Sequence, residues 1–177
     1  MMAAPSLLRR GAMASGAQQT TIPLETRMAN SLAVYELSAA ISSVGAQITW
    51  YEPSDVSPIF MPGSDGWVTR TNDNGGKPGL RVSKPGGSNA LSTAIDIQVR
   101  AANSSNYLKL CGIVIRRQGN SGNPQGKDTF PSCVISPDHK TLTLNDNDNV
   151  KTSYEFDLLF QDDAGNYGLV DPKISNV

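Results

Sequence analysis

Histidine and cysteine are almost absent from this chain, with one and two copies in 177 residues, and that scarcity removes whole classes of chemistry. Zinc centres built from Cys and His, and Ser-His-Asp or Cys-His catalytic sets, need more of both than the chain holds. The one histidine, His139, stands in Ser136-Pro137-Asp138-His139-Lys140, a turn-forming string, and reads as an exposed turn residue rather than a general base. Cys111 lies inside the apolar run Leu108 to Ile115 and Cys133 opens a later strand, so both read as buried free thiols rather than a bridge. No apolar stretch is long enough to span a bilayer, which argues against a membrane-embedded protein.

Apolar residues make up only 38 % of the chain, while Gly 16 and Pro 11 are accompanied by many Asn, Ser and Asp. That composition argues against an all-helical fold and for short strands joined by turns. The length suits one domain plus a tail. Residues Met1 to Thr21 carry Arg9 and Arg10, no acid and no hydrophobic periodicity, so we expect residues 1–29 to be a disordered extension and 30–177 to be the folded domain. Leu7-Leu8 is too short for the apolar part of a secretory signal; Ser31 to Ala46 mimics one but is interrupted by Glu36. The compartment stays open, with the balance toward the cytoplasm, and Met13 or Met28 offer alternative starts.

The formal charge of −1 conceals a segregation. Gly66 to Lys127 holds Arg70, Lys77, Arg81, Lys84, Arg100, Lys109, Arg116, Arg117 and Lys127 against Asp73 and Asp96 only, whereas acids dominate from Asp128 onward. Two halves that neutralise each other within one sheet system explain this most simply. The alternative is a dipolar molecule that stacks head to tail, with Arg116 and Arg117 as interface residues. Nucleic acid is not an expected partner, because the basic residues are not interleaved with aromatics and the pI is 5.8.

Periodicity supplies the fold. Tyr154, Phe156, Leu158 and Phe160 alternate with Glu155, Asp157, Leu159 and Gln161 before a turn at Asp162 to Asn166, which is a half-buried strand entering a hairpin. Ala94 to Arg100 alternates in the same way. Gln47 to Tyr51, Trp67 to Arg70, Leu80 to Ser83 and Tyr167 to Val170 add shorter strands, and Ser132 to Ser136 with Thr141 to Leu144 makes a hairpin. Tyr107 to Arg117, the longest apolar run, is expected to be a central strand buried on both faces. Glu52 to Ser64 holds Pro53, Pro58 and Pro62 and is expected to be an irregular loop. Ser31 to Val44 is the one helix candidate, with Val34, Leu37, Ile41 and Val44 at helical spacing; a strand from Leu32 to Leu37 is the rival, since Val34 and Tyr35 prefer sheets. The expected fold is a mainly β, antiparallel, immunoglobulin-like two-sheet sandwich with one short N-terminal helix.

The segment Lys140 to Asp148, the alternating Tyr154 to Leu158 strand, the Asp163-Ala164-Gly165 turn and the ending Asp171-Pro172-Lys173-Ile174-Ser175-Asn176 together resemble the DP-EP family of small bacterial β-sandwich proteins. The resemblance covers the C-terminal segment best. It implies a sandwich and brings no catalytic residues.

Several loops carry chemistry-bearing residues, each with a plainer reading beside it. Asn145-Asp146-Asn147-Asp148-Asn149 alternates oxygen ligands as a calcium loop does, but lacks the turn glycine and the bidentate glutamate, so an Asx-rich turn and no calcium are expected. Trp67, beside Asp65-Gly66 and Asn72-Asp73-Asn74, is either a sugar-stacking platform or a core residue. Gly75-Gly76-Lys77-Pro78-Gly79 lacks the strand-loop-helix setting of a phosphate cradle, and the adjacent carboxylates Asp162-Asp163 do not face each other across a cleft. The expected function is therefore a non-catalytic binding or assembly module, with a protein or a second copy of itself as partner, no cofactor, and Trp67, Arg116 and Arg117 as candidate contact residues. A carbohydrate- or calcium-dependent binding domain is the alternative.

Overall fold

The structure, a computed structural model, describes residues 29–42, 48–72, 78–84, 92–102, 104–117, 129–148 and 151–177. The expected N-terminal extension lies outside these residues, apart from Ala29. Among the described residues none lies in an α-helix; a single 3-10 turn covers Pro53–Asp55. None forms a helix long and apolar enough to cross a membrane.

The first element corrects the helix expectation. Ser31–Leu37 is a strand, β1, with Ser31, Ala33, Tyr35 and Leu37 buried on one face and Val34 buried on the other. The helical spacing of Val34, Leu37 and Ile41 is present, but Val34 and Tyr35 gain more by lying between two strands than a lone amphipathic turn offers. The strands that follow are β2 (Thr49–Tyr51), β3 (Val56–Met61), β4 (Val68–Asn72), β5 (Pro78–Val82) and β6 (Thr93–Ala101). After them come β7 (Lys109–Arg117), β8 (Ser132–Ile135), β9 (Leu142–Asp146), β10 (Ser153–Gln161), β11 (Tyr167–Val170) and β12 (Lys173–Asn176). The Pro-containing segment expected to be irregular therefore contains β3. Pro58 lies opposite Tyr35 of β1, and β3 is an edge strand, where a residue without an N–H is tolerated on the side facing away from its partner.

One sheet has the order β3-β1-β6-β9-β8. In the other, β10 pairs with β7 along one side, and with β11 (Leu158 to Gln161) and then β12 (Ser153 to Glu155) along the other. β2 continues from β11, while β5 and then β4 continue from β12. Pro172, which has no N–H to place in a ladder, marks the break between β11 and β12 and accepts a hydrogen bond from the Phe156 N–H through its carbonyl. The pairing is not purely antiparallel as expected: β1 with β6, β2 with β11 and β5 with β12 are parallel.

The core lies between the inner faces. Tyr35 and Leu37 of β1, Ile95, Ile97 and Val99 of β6, and Leu142 and Leu144 of β9 meet Tyr154, Phe156, Leu158 and Phe160 of β10. Tyr35 meets Phe156 edge-on at 6.4 Å, and Phe130 meets Tyr154 at 5.0 Å in the same manner. Such pairs add to the simple burial of their area. Phe160 also packs against Tyr51 at 5.8 Å, and the space for both rings exists because position 168 is glycine. A Cβ there would lie 2.5 Å from Phe160 Cε2 and 3.0 Å from Tyr51 Cε2.

Gly168→Ala should accordingly destabilise the domain by about 1–3 kcal/mol through forced movement of two packed rings. Gly112→Ala, whose Cβ would meet nothing within 4 Å, should leave stability nearly unchanged. Paired denaturant melts of the two variants measure the difference.

Candidate functional site

Each candidate contact residue has a definite place. Trp67 precedes β4, is half-buried, and is held at its N–H by Asp65 Oδ1 at 3.0 Å. Lys84 Nζ stands 5.9 Å from the centre of its ring. The indole is thus partly capped by an ammonium, a cation–π contact that competes with a stacked ligand. Arg116 projects from β7 and donates to Asp157 Oδ1 of β10 at 2.8 Å. Burial raises the Asp157 carboxyl above its ordinary range, and Arg116 pulls it back. Arg117 ends β7 opposite Tyr154, and its side chain lies outside the described residues. The structure therefore does not bring Trp67 and Arg116 into one site.

One pair, Arg116 with Asp157, joins the basic and acidic halves, while Lys151 pairs with Asp148 inside the acidic half and Arg100 with Glu36 of β1 at 2.6 Å. These residues are thus committed within the chain.

β7 departs most from expectation. Among the described residues it pairs with β10 alone and so stands at the edge of its sheet instead of the middle. Its inward residues Leu110, Ile113 and Ile115 pack on the core, which explains the apolar run; Val114 is 51 % exposed. Phe160 faces Leu110 and Leu159 faces Gly112, so Cys111 is the extra residue of a β-bulge, a device that disrupts edge pairing locally. β8 is the corresponding edge of the other sheet and exposes Val134 at 59 %. The Leu110 N–H donates to the His139 carbonyl at 2.7 Å, tying β7 to the β8–β9 turn. Cys111 and Cys133 are therefore exposed on the two edge strands, not buried, because each edge leaves one flank of its strand uncovered. Local packing still pushes both thiols above their ordinary pKa, with Lys109 opposing this at Cys111. His139 is an exposed turn residue with φ of 59°, as its sequence context indicates.

Two polar sites complete the survey. Outside the β1-β6-β9 surface lies an open groove of about 570 Å³ lined by Asn30, Asp96, Thr141, Thr143 and Asn145. Its groups are largely committed to one another: Asn30 Nδ2 and Thr143 Oγ1 both donate to Asp96, at 3.1 and 2.6 Å. The second site is the expected Asx-rich turn, where Asp146, ending β9, is fully buried and Asp148 nearly so. The Asp148 N–H donates to Asp146 Oδ1 at 2.7 Å, as does the Asn176 amide at 3.1 Å. Lys84 Nζ donates to the Asp146 carbonyl, and Lys151 Nζ to Asp148 Oδ2. Burial raises the Asp146 carboxyl to about 6, partly offset by those two hydrogen bonds, and burial also lowers the Lys84 pKa. No group of three His, Cys, Asp or Glu residues placed to hold a metal occurs among the described residues.

Sequence reasoning missed Trp50 and Val114. Trp50 is 64 % exposed on β2, in register with Leu169 of β11, which in turn faces Leu159 of β10. The alternation Ile48, Trp50 against Thr49, Tyr51 contains the signal, because Tyr51 is the buried member.

These features define a mainly β, two-sheet protein with open edges. No family model matches the chain, and no curated protein matches it. Among solved structures it is similar to an inclusion body protein, PixA, from Burkholderia cenocepacia, at 11 % identity and a TM-score of 0.44, over 88 % of this chain and 100 % of that one.

Arg116→Glu should cost about 1 kcal/mol, because it replaces a part-exposed ion pair by two acids side by side, and urea melts at low and high salt will show the loss shrinking as salt rises. Millimolar calcium should leave the melting temperature unchanged, since two ammonium groups already stand on the Asp146–Asp148 turn.

Proposed function

We propose that the protein is a non-enzymatic assembly module that associates with a second copy of itself, or with another protein, through its sheet edges. The observation that carries this reading is the outer edge of β7: beyond Leu110, whose backbone is met by His139 of the β8–β9 turn, no described strand pairs with it, and it displays Cys111 and the half-exposed Val114. An uncovered edge presents backbone donors and acceptors that another strand completes, unless charge or a bulge prevents it. Lys109 and Arg116 guard the ends and the bulge sits at Cys111, which leaves Gly112 to Ile115 as the pairing segment. β8, with Val134, extends the same flank. The sandwich serves in this reading as an immunoglobulin-like scaffold whose edges and loops do the contacting, in keeping with the non-catalytic character that the DP-EP resemblance implies.

Because Arg116 at the end of this segment is already paired with Asp157 and the segment itself, Gly112 to Ile115, carries no charge, association through this flank should be driven by strand pairing and apolar contact and change little with salt. Size-exclusion chromatography with light scattering, at low and high salt and over a range of protein concentrations, should show a concentration-dependent oligomer. Val114→Lys and Val134→Lys should each reduce it while leaving the melting temperature within the small range typical of surface substitutions. A monomer under every condition overturns self-association, and failure of Val114→Lys and Val134→Lys to reduce the oligomer overturns the assignment to this flank.

A further inference from the structure

The Asp146–Asp148 turn, set aside above as a calcium loop, has a surplus of acceptors that the described residues do not satisfy. Asp146 Oδ2, Asp148 Oδ1 and Asn176 Oδ1 are buried and have no hydrogen-bond partner among the described residues. Their residues are 0 %, 6 % and 3 % exposed. Orphaned acceptors in a dry site cost free energy unless something positive or a donor reaches them. A divalent ion is poorly suited to that role here, because Lys84 and Lys151 already bring two ammonium groups to the same turn. A proton suits it, since one proton on Asp146 Oδ2 removes a buried charge and turns an orphaned acceptor into a donor, with two further unpaired acceptors on the residues that already bond to Asp146.

The position of this cluster gives the proton something to control. Asn176 belongs to β12, which joins β10 to the β4–β5 pair; among the described strands that pair reaches the rest of its sheet through β12 alone. The same end is held by the Asn176 N–H on the Thr152 carbonyl, the Val177 N–H on the Val82 carbonyl, and the Lys84 N–H on Asp148 Oδ2. We propose that Asp146, Asp148 and Asn176 form a proton-operated clasp, which fastens β12 and the β4–β5 pair when Asp146 is protonated and loosens them when it ionises. The charged and polar groups facing Asp146 are Asp148 on its own turn, Lys84 after β5, Asn176 on β12 and Thr93 opposite it on β6. Lys151, before β10, acts through Asp148, and Asp65, bonded to Thr93 Oγ1, acts through Lys84.

The sign follows from linkage. The folded-state carboxyl lies above its ordinary value, so its ionisation disfavours the closed form as pH rises from about 4 through about 6. The clasp is tight in acid and loose near neutrality, opposite to the usual salt-bridged aspartate.

Hydrogen exchange of the full chain tests this, with rates corrected for the intrinsic effect of pH. A shift from 3.8 to about 6 corresponds to about a tenfold rise in the opening constant of Ile174 to Asn176 and Leu80 to Val82 between about pH 5 and about pH 7.5. β6 should show no such change. Asp146→Asn, which keeps the Oδ1 acceptor and carries its own donor, should flatten the profile. Should that variant not fold, carbon NMR titration of the Asp146 carboxyl in the wild type decides, with a midpoint matching that of the protection change expected. Equal protection at both pH values, or the same profile in Asp146→Asn, overturns the proposal. Recovery of protection at about pH 7.5 by millimolar calcium also overturns it, in favour of a cation site.

Discussion

The inward row of β10 is the constraint on which the rest of the structure depends. Tyr154, Phe156, Leu158 and Phe160 are all at most 2 % exposed, and through them one strand supplies aromatic or aliphatic contacts across the whole core. β10 also provides both ladders that build its sheet, β7 on one side and the broken β11–β12 strand on the other. A charge placed on this row would have no partner and would separate the sheets. A one-residue slip of β10 would turn Glu155, Asp157 and Gln161 inward, so the alternation fixes register as well as burial.

That alternation is also why so much of the architecture is legible in the sequence. β6, β9, β10 and β11 each bury one face and expose the other, and period-two patterning reports that arrangement directly. β1 and β7 mislead for opposite reasons. β1 buries Val34 on its second face besides all of its inner one, which breaks the alternation at its centre and lets an accidental helical spacing stand out. β7 carries an apolar run that reports contact with the core, but patterning describes faces and is silent about edges. The exposed flank, with both cysteines, therefore looks like interior.

The candidate sites were less legible than the strands, because each depends on residues distant in sequence. Asp146 and Asp148 are visible as an Asx-rich turn with Lys151 close behind, yet their meaning comes from Lys84 and Asn176, which arrive from two other parts of the chain. Arg116 looks like free basic surface until Asp157, on the neighbouring strand, is placed beside it. In both cases local spacing names the groups and pairing decides what they do.

The parallel pairs have a consequence for how the chain acquires its shape. Among the described strands β2 has its one partner at β11, so residues 49–51 find a ladder only with residues 168–170, while residues 79–82, paired locally with β4, join the rest of the sheet through residues 173–176. Closing such distant contacts delays their reward in stabilisation and slows folding relative to hairpin-built sheets of the same size. During that interval β5, with Leu80 and Val82, waits with its apolar face uncovered. The late-arriving C-terminal strand is then the step that ends the chain's exposure to misassociation, and crowding at high concentration bears on that waiting period more than on the finished domain.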